Sequence, residues 1–453
     1  MLGGNVNNGA NAGLFYFNAN NAPSNSNWNY GASHSYGMQG FPKKCSYRSS
    51  RRKPENWPSK APISRQTPNM GEVIGKSRRT EKVAKTYKHT FEQICDAENI
   101  RAALHAAAKG KRDKKSVRGA LAREDEVVAH IRRILTESIQ FLPKIRNGHK
   151  VNDGIKAKKR IICHPSFTEQ IIDHAIIQII KPHFMRSFYR WSCGSIPGRG
   201  QESMIKYVAA SIRRNDSGAK YYVKFDVAKC FDTINADAIY DELKKYEADK
   251  RTLALLRYKL DANTVRHPDG KIVKGGVPIG VYTSPWLVNV ALNCVDHCLK
   301  DECGMNLEVR FMDDIFVTHG NKRELERAIA AAEKVLARFG LRWKERPVIR
   351  KWAYGDIGKV RFCGVQLTRE TVEVRDVVFI RAVRTVNRIA RKMARKVRVT
   401  WYDAAKVISY GGRFAAFESW NAFSKNVLQG KVSYQSMRQK ISAHDRLKAK
   451  GGK

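Results

Sequence analysis

The stretch Val309-Arg310-Phe311-Met312-Asp313-Asp314-Ile315-Phe316-Val317 constrains this chain more than any other, because it sets two adjacent acids between β-prone apolar runs. The pattern predicts a hairpin with carboxylates at its tip. Neighbouring aspartates raise one another's pKa unless a cation neutralises both, and a divalent metal would do so. A solvated surface turn is the plainer alternative.

A second carboxylate segment weighs against that alternative. In Tyr221-Tyr222-Val223-Lys224-Phe225-Asp226 a short strand delivers Asp226 at its end, and the bulky Phe231 follows. Further on, Gly275-Gly276-Val277-Pro278-Ile279-Gly280-Val281-Tyr282-Thr283-Ser284-Pro285 is a glycine-bearing turn that opens an apolar helix reaching Asn289. Acid strand, Pro-x-Gly turn and Met-Asp-Asp hairpin, in this order, resemble the palm of a reverse transcriptase. Phe362-Cys363-Gly364-Val365-Gln366-Leu367 resembles the Phe-x-Gly primer-grip hairpin that follows the palm in that family. The resemblance implies an α+β chain with a right-hand polymerase fold of fingers, palm and thumb, behind a disordered N-terminal extension.

It also implies RNA-directed DNA polymerase chemistry, an in-line displacement at phosphorus in which a primer 3′-hydroxyl is activated while pyrophosphate leaves. Two Mg²⁺ ions, or Mn²⁺ in their place, would be held by Asp226 and Asp313, with Asp314 and the Val227 backbone completing the cluster. By the same resemblance Phe231 is either a steric gate beneath the incoming sugar or ordinary palm core. Ile279 and Gly280 would border the nucleotide, and Phe362, Cys363 and Gly364 would grip the primer. The basic run ending in Lys158-Lys159-Arg160 resembles the fingers segment that meets the triphosphate, so Lys158 and Arg160 are candidates there, with a solvated charge run as the alternative.

Charge supports a nucleic-acid partner. Lys and Arg number 84 against 42 Asp and Glu, a formal +42, which points to a polyanion. Membrane binding would need an amphipathic anchor, and no apolar run has spanning length, so a cytosolic protein is expected. The nine cysteines are scattered; Cys294, Cys298 and Cys303 lack paired zinc-site spacing and read as reduced packing residues.

The expected organisation is an Asn/Gly-rich segment over 1–40, a basic arm over 41–90, helices and fingers over 91–215, the palm over 216–370 and a basic helical thumb over 371–453. Helical periodicity is predicted over 91–107, 121–142, 168–180 and 322–339, the last with Leu325, Ile329, Leu336 and Phe339 inward. In the thumb Arg381, Arg384, Arg388, Arg391 and Arg395 recur at helical spacing as a cationic stripe, while Val383, Val386, Ile389 and Met393 line another face. Arg199, in the glycine-rich loop 193–200, either approaches a phosphate backbone or sits in a plain connecting turn.

The opening residues bear on the subfamily. Residues 1–40 contain no Lys or Arg, and Asn5, Asn7, Asn8, Asn11, Asn18, Asn27-Trp28-Asn29-Tyr30-Gly31 are similar in order to the repeat that ends the lectin-like target proteins of diversity-generating retroelements. Asparagine codons are adenine-rich, so reading through such a template repeat would give this composition; a low-complexity tail is the alternative. Ile279 also agrees, since that family has an aliphatic residue where other reverse transcriptases place glutamine. Ser284-Pro285 departs from it, because that family commonly shows Ser-Gln there. The resemblance implies error-prone, adenine-mutagenised cDNA of a template repeat, made from template RNA, a primer and dNTPs with a small barrel-forming accessory protein. Another prokaryotic reverse transcriptase, such as a phage-defence enzyme, and a non-catalytic RNA-binding scaffold with a relic palm are the competing readings.

Overall fold

The computed structural model describes residues 87–137, 145–153, 158–262, 264–354, 358–417 and 419–450. The Asn/Gly-rich segment and nearly all of the basic arm lie outside them. In chain order the elements are α1 (Thr90–Ile94), α2 (Ala97–Ala108), α3 (Lys115–Ala122), α4 (Glu124–Glu137), β1 (Ile145–Asp153), β2 (Lys158–Cys163), α5 (Phe167–Ser187), β3 (Ser192–Cys193) and α6 (Gln201–Arg214). There follow β4 (Tyr221–Asp226), α7 (Cys230–Thr233), α8 (Ala236–Leu243), α9 (Lys250–Asp261), β5 (Thr264–Arg266), β6 (Ile272–Lys274), α10 (Ser284–His297), β7 (Leu307–Phe311) and β8 (Asp314–His319). The rest are α11 (Lys322–Arg338), β9 (Arg350–Lys351), β10 (Val360–Phe362), β11 (Val365–Leu367), β12 (Val372–Val374), α12 (Asp376–Ala394), α13 (Trp401–Ala416), α14 (Trp420–Ala422) and α15 (Tyr434–Lys450). The chain is α+β.

The central sheet runs β3-β7-β8-β4-β9, with β8 antiparallel to both β7 and β4. Both of its faces are covered, so every residue of β7 is buried, the charged Glu308 and Arg310 included, as are the four central residues of β8. Alternate side chains go to different cores. Val223, Phe225, Ile315 and Val317 pack with α10 and α11 through Val290, Leu325 and Leu336. Val309, Phe311 and Phe316 pack on the other side with Met204, Trp352, Phe362 and Ala382. The sheet thus joins the helical N-terminal half to the β10–β11 hairpin and the C-terminal helices.

A second sheet, β2-β1-β5-β6, pairs β1 antiparallel to β2 and parallel to β5. The β5–β6 hairpin leaves little trace in the sequence, because its strands are short and half polar. The third sheet is the antiparallel β10-β11-β12 meander.

Helix boundaries depart from periodicity where caps intervene. The predicted helix over 91–107 is broken at Asp96, whose carboxylate accepts from the amides of Glu98 and Asn99 and starts α2. The stretch 121–142 divides at Arg123, and its last residues lie outside those described. The helix expected over 168–180 continues to Ser187 with Pro182 inside it. In α11 Leu325 and Leu336 are buried as expected, Ile329 is half-buried, and Gly340 follows at φ 65°. In α12 the inward line is Val378, Ala382, Val386 and Ile389. Val383 is only half-buried and Met393 is exposed, since the last turn of α12 runs past the core.

Candidate active site

The acids meet where β4 ends and β8 begins. Asp226 and Asp314 are cross-strand partners in the antiparallel ladder. Asp313 occupies the two-residue turn with Met312, which joins β7 to β8. Met312 has φ 55°, a left-handed conformation that glycine adopts far more readily. The Val227 amide donates to Asp313 O at 3.3 Å, and the Lys344 amide donates to Asp226 O at 2.8 Å. The Asp313 backbone is therefore tied to the residue that follows β4, and the Asp226 backbone to the chain that follows α11.

Electrostatics at this edge are unbalanced. Burial, then Asp314 and Asp226, push the Asp313 carboxyl up to about 6, with Arg160 opposing them. Burial also raises Asp314, against the pull of Lys224. Two lysines offset part of the charge: Lys224 Nζ lies 3.2 Å from Asp314 Oδ1, and Lys344 Nζ donates to Asp226 Oδ2. Neither lysine was read from sequence as part of the site. Lys224 alternates with apolar residues on β4, a signal that was available; Lys344 is brought in by tertiary structure alone.

Among the described residues no three His, Cys, Asp or Glu side chains are gathered closely enough to hold an ion by themselves. That does not argue against Mg²⁺, which is commonly held by one or two carboxylates plus water and substrate phosphates. The donor set is all hard oxygen, and a divalent cation would relieve the suppressed ionisation of Asp313. The carboxylates present fit such an ion. The described cysteines, Cys294, Cys298 and Cys303 among them, are free thiols, buried or half-buried.

Around the acids, the Pro-Ile-Gly turn is seated on the basic strand β2. The Cys163 amide donates to Ile279 O at 2.8 Å. Gly280 has φ 103°, and a Cβ there would lie 2.2 Å from Cys163 O, so only glycine permits this approach. The same turn covers Phe231: Val277 donates to Phe231 O at 2.7 Å, and a Cβ on Gly276 would stand 2.3 Å from that oxygen. Phe231 is buried in the main core and Ile279 packs half-buried against it. Arg160 is half-buried on β2, whereas the side chain of Lys158 lies outside the described residues.

The primer-grip candidates form the β10–β11 turn, with Cys363 at φ 42° and Gly364 at φ 76°. Phe362 is buried with its ring 5.3 Å from that of Phe316 on β8. Arg413 of α13 donates to Cys363 O at 3.3 Å. All five predicted arginines, Arg381, Arg384, Arg388 and Arg391 on α12 and Arg395 at its C-cap, are exposed. Arg388, Arg391, Lys392 and Arg395 with Val397 line a depression of ≈ 270 Å³.

Arg199, read from sequence either as a phosphate contact or as part of a plain connecting turn, is turned into its own loop. It is 8% exposed, and its Nη1 donates to Phe188 O at 3.3 Å and Tyr189 O at 2.7 Å. Its guanidinium closes the loop from within.

Residues 147–346 match the family profile described as "Reverse transcriptase (RNA-dependent DNA polymerase)". Among curated proteins, the "Putative COX1/OXI3 intron 1 protein" of Saccharomyces cerevisiae is 32% identical over 147 residues, which is 32% of this chain and 17% of that protein. The "Nuclear intron maturase 1, mitochondrial" of Arabidopsis thaliana is 27% identical over 145 residues, 31% of this chain and 20% of that protein. The chain thus spans at most a fifth of the length of these relatives. A telomerase structure from Candida albicans, in complex with a fragment of telomeric RNA, aligns at TM-score 0.42 and 12% identity, covering 66% of this chain and 64% of that one. The chain carries a reverse transcriptase domain with homology to intron maturases. Among the described residues no helix is long and apolar enough to cross a membrane.

Proposed function

We propose that the chain is an RNA-templated DNA polymerase whose reaction centre is the edge formed by Asp226, Asp313 and Asp314. The observation that carries this reading is the cross-strand pairing of Asp226 with Asp314, beside Asp313 in the adjoining turn, inside the matched domain. Asp226 and Asp313 are the residues that would hold the ions, with Asp314 and the Val227 backbone beside them. When bound, two Mg²⁺ ions, or Mn²⁺, lower the pKa of the primer 3′-hydroxyl and take up charge on the leaving pyrophosphate.

The chain's own groups supply the remainder. Arg160 faces the acids from β2 and offers a bidentate cation to a triphosphate, with Lys158 as its companion. Gly280, lacking a Cβ, lets the Ile279 turn close on β2 and fix one wall of the nucleotide site, and Phe231 forms the floor. The hairpin of Phe362, Cys363 and Gly364 supports the primer end. The α12 arginines take the phosphates of the product duplex. In right-hand terms the N-terminal helices and fingers span about 91–215, the palm with its primer grip 216–370 and the thumb 371–453.

The finer reading is a diversity-generating enzyme of the cytosol that makes adenine-mutagenised cDNA of a template repeat, with template RNA and a small barrel-forming accessory protein as partners. Two features support it: the order of the Asn-rich residues 3–31, and an aliphatic Ile279 that offers no hydrogen bond to the nascent pair. Primer extension by the purified chain on a defined RNA template tests both levels. RNA-dependent extension with errors concentrated at template adenines is expected. Accurate copying would favour another prokaryotic reverse transcriptase, and no extension would favour a binding scaffold. Deleting residues 1–40 should leave extension nearly unchanged, whereas recoding them with adenine-poor synonymous codons should alter diversification of the target gene.

A further inference from the structure

Arg310 lies fully buried in β7, three residues before Asp313. A guanidinium withdrawn from water needs a near-complete set of acceptors. Its Nε and Nη2 donate at 2.7 Å to the two carboxylate oxygens of Asp296. Its Nη1 donates to Asn289 Oδ1 at 2.8 Å and to Met312 O at 3.1 Å. Asn289 and Asp296 stand two turns apart on one face of α10. Asp296 accepts a further bond from Ser192 Oγ. Asn289 Nδ2 donates to Gly194 O at 3.3 Å and lies 3.8 Å from Met312 Sδ.

Met312 is therefore held at three points. Its carbonyl is bound by Arg310, its amide donates to Cys193 O at 3.0 Å, and its sulfur faces Asn289. The loop after β3 is fitted to it as well, since a Cβ on Gly194 would approach Met312 Cγ to 2.8 Å. All of this surrounds a residue at φ 55°, where a side chain is disfavoured and glycine is not. The β7–β8 ladder alone would keep the strands paired. What the buried cluster adds is a fixed conformation at the residue preceding Asp313.

We propose that Arg310 is a positioning residue for polymerisation, which with Asp296 and Asn289 locks Met312 in its left-handed conformation and so fixes the direction of the Asp313 carboxylate. The inference rests on the reading of Asp313 as catalytic. A buried ion pair that merely stabilises the sheet would make the same bond to Asp296, but its loss would be indifferent to what occupies position 312.

The test combines Arg310→Lys and Met312→Gly, singly and together, in the full chain. Single-turnover nucleotide addition at saturating RNA–DNA hybrid, hybrid Kd and Mn²⁺ binding by electron paramagnetic resonance are measured. Arg310→Lys should slow addition about thirtyfold and weaken Mn²⁺ binding, while hybrid Kd stays within about twofold. In the Met312→Gly background the same change should cost at most about threefold, because glycine holds the positive φ without help. Equal losses in both backgrounds, or a slower rate with unchanged Mn²⁺ binding, would overturn the proposal. Should Arg310→Lys not fold, Asn289→Ala, which spares the Arg310–Asp296 pair, carries the same comparison. If the unaltered chain extends no primer, the polymerase reading falls by itself, and the Mn²⁺ comparison still decides the clamp.

Discussion

At the β4–β8 edge three carboxylates are fixed by a strand ladder, a left-handed turn residue and backbone bonds from Val227 and Lys344. Along α12 and at its C-cap five arginines stand exposed at helical spacing, above an inward line of Val378, Ala382, Val386 and Ile389. The first region spends stability on geometry, holding Asp313 with its carboxyl pushed up to about 6. The second holds charge cheaply in solvent. Reaction at phosphorus needs donors in place before substrate arrives, whereas affinity for a polyanion depends on how many cations lie near it.

Conservative substitutions sharpen that contrast most. Asp226→Glu keeps the charge and moves the carboxylate by one methylene, and nucleotide addition should fall on the order of 10³-fold. Arg384→Lys with Arg388→Lys also keeps the charge, and hybrid affinity should change by no more than about twofold. Rapid-quench rates and hybrid titrations measure the pair; similar tolerance at both places would break the contrast.

The pH dependence of stability comes next. Asp313 titrates near 6 in the folded chain against an ordinary 3.8, so the folded state binds this proton more tightly than the unfolded state does. Without metal, stability should decline as pH rises from about 4 to about 6, by up to ~3 kcal/mol, and then level off. Chemical denaturation across that window should show the decline, and Asp313→Asn should flatten it. Adding Mg²⁺ should oppose it by favouring the ionised form. Arg384→Ala should leave the profile unchanged.

Removing charge from the stripe has a smaller effect. Arg384→Ala with Arg388→Ala should weaken hybrid binding about tenfold and reduce the salt slope by about two, with the rate at saturation unaltered. An unchanged slope would move the binding surface off α12. Smallest of all, Ile279→Gln restores an amide beside the nascent pair and should lower misincorporation opposite adenine about threefold, with less effect on total synthesis. Sequencing of cDNA products reads this directly, and equal error rates would make Ile279 a packing residue.

The same contrast governs what was legible in the sequence. The acids announce themselves because charge between apolar strand residues is expensive and so carries a reason. The arginine stripe is visible because helical periodicity is local. Arg199 stays ambiguous in the sequence, since a loop arginine beside glycines can face solvent or turn inward, and the carbonyls of Phe188 and Tyr189 that take its Nη1 are supplied by the fold. Lys344 and Arg310 stay hidden for a related reason: their partners, Asp226 and Asp296, are chosen by tertiary packing. Met393 continues the apolar period of α12 but outruns the core that would bury it.

The most direct measurement is RNA-templated addition of a single nucleotide by the unaltered chain and by Asp313→Asn, with hybrid Kd determined on the same preparations. Addition should fall by on the order of 10³-fold or more while Kd stays within about twofold, because the phosphate-binding surface lies elsewhere. Substantial synthesis by Asp313→Asn would contradict the assignment of the reaction to this edge.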